Sequence, residues 1–110
     1  MSTTRANPEV AVIGAGAAGL IAAYTAAGLG ARVTLFEKNR RTGRKLRITG
    51  KGRCNLTNDC EPDEFLRNVP TNPRFLYSSL YGFTPSDTQE LFGSGFGVPL
   101  KVERGKRVFP

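Results

Sequence analysis

The sequence predicts an α/β fold: a strand–helix–strand unit opens the chain, followed by a basic loop, short helices and a small β segment. Three observations carry this. Val10 to Ile13 is a short apolar run ending in a glycine-rich turn, the pattern of a buried parallel strand. Ala17 to Ala27 is rich in alanine and includes Leu20, Ile21 and Tyr24, a composition that favours helix. Arg32 to Phe36 is β-branched and apolar, which suits a second strand. Such a βαβ unit is Rossmann-like, and its crossover is expected to be right-handed.

The remaining elements follow in order. Residues 1–8 are polar and read as a disordered tail; residues 9–110 read as one incomplete domain. Gly28 and Gly30 stop the first helix. From Lys38 to Arg53 eight of sixteen residues are basic, and glycines recur at Gly43, Gly50 and Gly52. This predicts an extended loop with one helical turn near Lys45. Asp63 to Val69 predicts a short helix. Asn72-Pro73 opens another, with Phe75, Leu76, Leu80 and Phe83 on one side. Thr84-Pro85 is a cap and first-turn pair for a third, ending near Gly93. Leu100 to Glu103 and Arg107 to Phe109 predict two short strands joined at Gly105.

Composition limits the function classes. The chain has 110 residues, 16 Lys or Arg against 9 Asp or Glu, and a net charge of +7. The charge favours anionic partners. With no histidine, zinc sites and catalytic triads that need one are excluded. Cys54 and Cys60 are too few for a disulfide scaffold. Met1 to Glu9 has no signal-peptide core, so a cytoplasmic, reducing context is expected. Val10 to Ala31 is 22 residues without a charge, long enough to span a bilayer. Its five glycines and strand-like start favour a buried strand–turn–helix instead.

The stretch VAVIGAGAAGL contains G-x-G-x-x-G at Gly14, Gly16 and Gly19. It follows a strand and opens a helix, the context that gives the pattern meaning. Gly14 permits the tight turn, Gly16 lets backbone approach a pyrophosphate, and Gly19 lets helix and strand pack closely. The helix N-terminus offers N–H groups and partial positive charge to phosphates. Glu37, at the end of the second strand, can accept both hydroxyls of an adenosine ribose and would repel a 2′-phosphate. The pattern therefore predicts FAD or NAD rather than NADP, and does not separate the two.

The segment GRKLRITGKGRCNLTN, Gly43 to Asn58, adds a second motif. Together with the glycine turn it closely resembles the BaiN-like family of NAD(P)/FAD-dependent oxidoreductases, or aminoacetone oxidase-like flavoproteins, in its G-R-K and its G-x-G-R-C-N-x-T-N. The tail VPLKVERGKRVFP, Val98 to Pro110, is similar to a further signature of that family. Two stretches depart from it: Thr49-Gly50-Lys51-Gly52 stands where S-G-G-G is common, and FGSGFG, Phe92 to Gly97, stands where a continuous helix end is expected. Family members are longer, so the chain reads as the N-terminal part of an FAD/NAD(P)-binding domain, inactive alone.

The resemblance implies FAD as cofactor and NAD(P)H as electron donor. Gly14, Gly16, Ala17, Ala18, Gly19, Glu37, Lys38, Gly43, Arg44 and Lys45 would bind FAD, with Gly52, Arg53, Cys54, Asn55, Thr57 and Asn58 along the flavin side. No catalytic residue is named, such groups being expected beyond Pro110, and no metal is expected. The implied activity is an FAD-dependent oxidoreductase passing hydride between NAD(P)H and an enone or carbonyl-type substrate. The alternatives are an FAD-dependent amine oxidase using O2 and a basic nucleic-acid-binding module. The expected partner is a small molecule, without nucleic acid or membrane; Arg40, Arg41 and Arg47 read as solvated surface, since loops usually face water. Cys54 and Cys60, in C-x5-C spacing, read as buried or incidental thiols rather than a redox pair.

Overall fold

The computed structural model describes residues 6–110. The predicted tail thus lies mostly outside the described residues; within them, the carbonyl of Pro8 accepts a hydrogen bond from Arg32 N at 2.8 Å. The chain forms two compact units, Met1–Thr49 and Gly50–Pro110.

The first unit is the predicted βαβ. Strand β1 (Glu9–Ile13), helix α1 (Ala17–Gly28) and strand β2 (Arg32–Phe36) follow in order. The strands pair in parallel, from Glu9 opposite Arg32 to Ile13 opposite Phe36. Side chains alternate between faces along a strand. Val10, Val12, Val33 and Leu35 are half-buried, while their neighbours on both strands are exposed. Val12 faces α1, its Cγ1 lying 3.6 Å from where a Cβ on Gly19 would sit. The second face carries no covering layer: Ile13 is 80% and Phe36 52% exposed. The apolar strand runs suggested cover on both faces. The described chain supplies one helix, and therefore one covered face.

Val10 to Ala31 forms a strand, a turn and a twelve-residue helix. No helix of the described residues is long and apolar enough to cross a membrane.

The second unit is built on a small antiparallel sheet. Strand β3 (Thr57–Asn58) pairs with β5 (Arg107–Phe109), which also pairs with β4 (Lys101–Glu103). Val108 and Phe109 on β5 are buried, as is Pro85 of the same unit. The predicted tail strands are thus present, joined by a turn at Gly105. Strand β3 was not predicted; two residues are too few to show a period. Helix α2 (Pro62–Arg67) matches expectation, and its Asp63 and Arg67 pair at 3.0 Å.

Two helices differ from expectation. The segment opened by Asn72 starts as a 3-10 turn, Pro73–Leu76, before α3 (Tyr77–Gly82), because Asn72 takes a left-handed conformation at φ 48°. Its apolar side is only partly covered: Leu76 and Leu80 are half-buried, but Phe75 is 80% exposed. Helix α4 (Pro85–Glu90) starts at the predicted cap, where the Thr84 hydroxyl accepts from Asp87 N and Asp87 Oδ2 accepts from Thr84 N. It continues past Glu90 as a π-type turn, Leu91–Gly95. Gly93 and Gly95, weak helix formers, fall in that widened turn.

Candidate functional site: a cleft at the glycine turn

The site lies in the first unit, where β1 and β2 end. Gly14 takes φ +98°, a left-handed conformation that costs an L side chain, and its N–H donates to Phe36 O at 2.7 Å. The turn is thereby tied to the tip of β2. Ala15 is 1% exposed, and its carbonyl accepts from Gly43 N at 2.7 Å. The basic loop is thus anchored on the turn it follows.

Gly16 caps α1 without a side-chain oxygen, and no acidic residue occupies the first helical turn. The N–H groups of that turn, at Ala17 and Ala18, therefore have no side-chain cap to accept from them. A Cβ on Gly16 would meet nothing within 4 Å, which leaves the approach to the helix end open. Gly19 is the opposite case. A Cβ there would lie 1.7 Å from Gly14 O, so only glycine lets the helix seat on the turn.

Glu37 is fixed by two backbone donors. Its Oε1 accepts from Ala15 N at 2.9 Å and its Oε2 from Asn39 N at 2.8 Å. These bonds, Ala15 first, hold its carboxyl below the usual glutamate range, so it is ionised at neutral pH. Each oxygen keeps acceptor capacity beyond its backbone bond. Ile13, Gly14, Gly16 and Phe36 line a cleft with Glu37, Lys38, Asn39, Arg44 and Lys45.

The structure thus brings Gly14, Gly16, Glu37, Lys38, Arg44 and Lys45 around one cleft. Ala17, Ala18 and Gly19 form the helix start, and Gly43 buttresses the turn. Sequence reasoning missed Asn39, whose N–H orients Glu37 and whose Oδ1 lies 3.4 Å from Arg44 Nη1. Its contribution is partly main-chain, and residue type carries no signal for that. The apolar wall of Ile13 and Phe36 was also missed, because both read as strand core.

The G-x-G-R-C-N-x-T-N part of the second motif, Gly50 to Asn58, lies in the second unit. Arg53 N donates to Gly50 O at 3.1 Å, closing a turn whose central residues, Lys51 and Gly52, have φ 56° and 84°. These are the signs of a type I′ turn. The Arg53 guanidinium pairs with Glu103 and stacks over Phe109, 4.2 Å from its ring centre. The Asn55 side chain, oriented to satisfy its neighbours, donates to Val108 O at 3.3 Å and Thr57 O at 3.0 Å. Thr57 lies on β3 opposite Val108, and Asn58 Nδ2 donates to Gly105 O at 3.0 Å. The motif's side chains here fasten the loop to β5 and its neighbours.

Position 51 yields a prediction. Lysine in a left-handed conformation is strained by about 1–3 kcal/mol. Lys51→Gly is expected to raise the melting temperature of the protein. Gly52→Val is expected to lower it, through φ alone, since a Cβ at Gly52 meets nothing within 4 Å. Paired thermal scans check both; a Lys51→Gly protein less stable than the parent would refute the strain.

Cys54 and Cys60 are free and half-buried. Burial, and then the Glu64 carboxylate, push the Cys60 thiol above its usual pKa, so it stays protonated. A protonated thiol is a poor nucleophile. Cys60→Ser is therefore expected to retain most turnover of the full-length protein. Lost turnover with the cofactor still bound would revive a disulfide relay.

A family model described as the HI0933-like protein Rossmann domain matches residues 8–110. The chain belongs to the HI0933-like family. Both the α/β, Rossmann-like fold and the family resemblance read from the two motifs are borne out. The HI0933-like Rossmann domain is 40% identical over 84 residues to the ribosomal RNA dihydrouridine synthase of Escherichia coli, covering 76% of this chain and 20% of that protein. It is 42% identical over 80 residues to the protein of the same name from Haemophilus influenzae, covering 72% and 19%. It is 36% identical over 112 residues to the 3-dehydro-bile acid delta(4,6)-reductase of Clostridium scindens, covering 93% and 24%. The chain therefore spans about a fifth to a quarter of the length of these relatives.

Proposed function

We propose that this chain binds the ADP half of FAD in a flavin-dependent oxidoreductase that delivers hydride to an unsaturated carbon centre. The observation that carries the reading is Glu37, held by Ala15 and Asn39 beside an uncapped helix start. Its ionised carboxylate accepts the two ribose hydroxyls and disfavours a 2′-phosphate. Gly16 leaves room for the pyrophosphate, while Lys38, Arg44 and Lys45 supply countercharge from the same cleft. Bound there, FAD would supply the two-electron chemistry.

The relatives' names support the reaction class. One names a reductase acting on a bile acid, and two name the formation of dihydrouridine, a pyrimidine carrying two added hydrogens. Each describes addition of hydrogen to an unsaturated substrate, for which the hydride of a reduced flavin is suited. NAD(P)H is proposed as the electron source.

The test is the purified full-length protein. It is expected to be yellow, to release FAD on denaturation, and to bleach anaerobically on adding NADH or NADPH. NAD without flavin in a folded preparation would sink the flavoprotein reading. Bleaching by an amine in place of NAD(P)H, with peroxide formed in air, would replace the reductase by the oxidase.

A further inference from the structure

We infer that Asn39 is a neutral spacer: a positioning residue that keeps the Glu37 carboxylate and the Arg44 guanidinium from pairing with each other, and so leaves both for the cofactor. What the two charges bind rests on the flavoprotein reading; their separation rests on geometry alone.

The backbone brings the two charges into one neighbourhood. Ala15 N donates to Glu37 Oε1 at 2.9 Å, and Ala15 O accepts from Gly43 N at 2.7 Å. One buried residue thus pins both the acid beyond β2 and the residue before Arg44. Glu37 and Arg44 accordingly line the same cleft. Opposite charges so placed are expected to pair, and an arginine–carboxylate pair is readily bidentate. Such a pair would fill the acceptor sites that a ribose needs and the donors that a phosphate needs. It would have to be broken before either could bind.

That pair is not made. Among the described residues the carboxylates in ion pairs are Glu9, Asp63, Glu64 and Glu103, and Arg44 joins none of them. Asn39 takes both partners instead. Its N–H donates to Glu37 Oε2 at 2.8 Å, and its Oδ1 accepts from Arg44 Nη1 at 3.4 Å. The two bonds differ in kind. The first is short and charge-assisted, and it fixes the carboxylate. The second is long for an N–H···O bond, and its acceptor is a neutral amide. It parks the guanidinium loosely and yields it readily to a phosphate. A carboxylate at position 39 would grip Arg44 and repel the pyrophosphate. An aliphatic side chain would not hold Arg44 at all.

The test is a double-variant cycle in the full-length protein, stripped of flavin and titrated with FAD. Asn39→Ala keeps the N–H that bonds Glu37 and removes the amide. It is expected to weaken FAD binding about tenfold while Arg44 is present, but less than about twofold in the Arg44→Ala background, where no guanidinium is left to occupy Glu37. The melting temperature of the flavin-free Asn39→Ala protein is expected to be no lower than the parent's, since an ion pair is gained. Equal losses in the two backgrounds overturn the inference. So does a fall in that melting temperature, which would make Asn39 a structural residue only. A crystal structure of the flavin-free Asn39→Ala protein reads the pair directly: Arg44 is expected on Glu37, and a guanidinium still apart from it overturns the inference. A parent protein that takes up no FAD sinks the flavoprotein reading; a Glu37–Arg44 pair in the Asn39→Ala crystal then still upholds the spacer.

Discussion

Gly19→Ala is expected to leave the full-length protein without FAD and mostly insoluble. The added methyl group would lie 1.7 Å from the carbonyl oxygen of Gly14, and the obstacle is backbone. Relief requires α1 to lift off the turn or the turn to unwind. The turn cannot easily comply: Gly14 N and Ala15 O are already bonded to Phe36 and Gly43. A change that forces packed backbone apart belongs among the rare substitutions costing more than about 4 kcal/mol. Gly16→Ala is the control, since its methyl group meets no protein atom within 4 Å. It is expected to fold and to lose FAD affinity only, because the new Cβ occupies the ligand's approach. Soluble expression and flavin content, measured side by side, check the pair. A Gly19→Ala protein that is yellow and soluble would show that the helix is not seated as described.

Glu37→Ala is expected to weaken FAD binding by roughly ten- to a hundredfold, the range for loss of hydrogen bonds to a charged group. The variant also strips Ala15 N and Asn39 N of their acceptor, so the loop beyond β2 loosens with it. Glu37→Gln separates the two effects. It can still accept from one N–H through its amide oxygen, but it carries no charge. The pH dependence has a definite sign. Because the carboxyl is held below its ordinary 4.5, its contribution is complete above that value. It is lost only as the pH falls through the depressed folded value. Flavin retention is therefore expected to be flat from neutral pH down to the ordinary 4.5, with any loss through Glu37 coming only at lower pH. The Glu37→Gln protein is expected to lack that acid step. Flavin fluorescence on acid titration reads both, and a midpoint set by Glu37 above its ordinary 4.5 would contradict the two backbone bonds.

The legible part of this chain was what side-chain type controls. The βαβ unit, the glycine turn and Glu37 were readable because period, glycine spacing and a terminal acid each leave a mark. The cap at Thr84 was readable for the same reason. What was not readable depends on main-chain geometry or on partners distant in sequence. Asn39 serves the cleft partly through its N–H. Arg53 lies in a basic run, yet Glu103, fifty residues on, takes its charge. The two-residue β3 exists because β5 offers it a ladder, not because Thr57 and Asn58 favour a strand. Glycine number 50 or 52 could be assigned a turn, but not the fact that Lys51 shares it. Helix α4 shows the remaining limit: its start is a local chemical signature, and its passage into a π-type turn is a packing outcome.

The open face of the β1–β2 pair has a polarity of its own. Along it the cross-strand pairs run from Glu9 and Arg32, through Ala11 and Thr34, to Ile13 and Phe36. One end is guarded by an ion pair and the other is bare hydrocarbon. In dilute buffer the excess positive charge keeps two such molecules apart, and the bare end is harmless. At about 1 M salt the Debye length shrinks to about 3 Å, and the repulsion no longer reaches across the gap. The colloidal behaviour of the chain is then the reverse of salting-in: light scattering is expected to rise with ionic strength, and a charged residue in place of Ile13 would remove that rise.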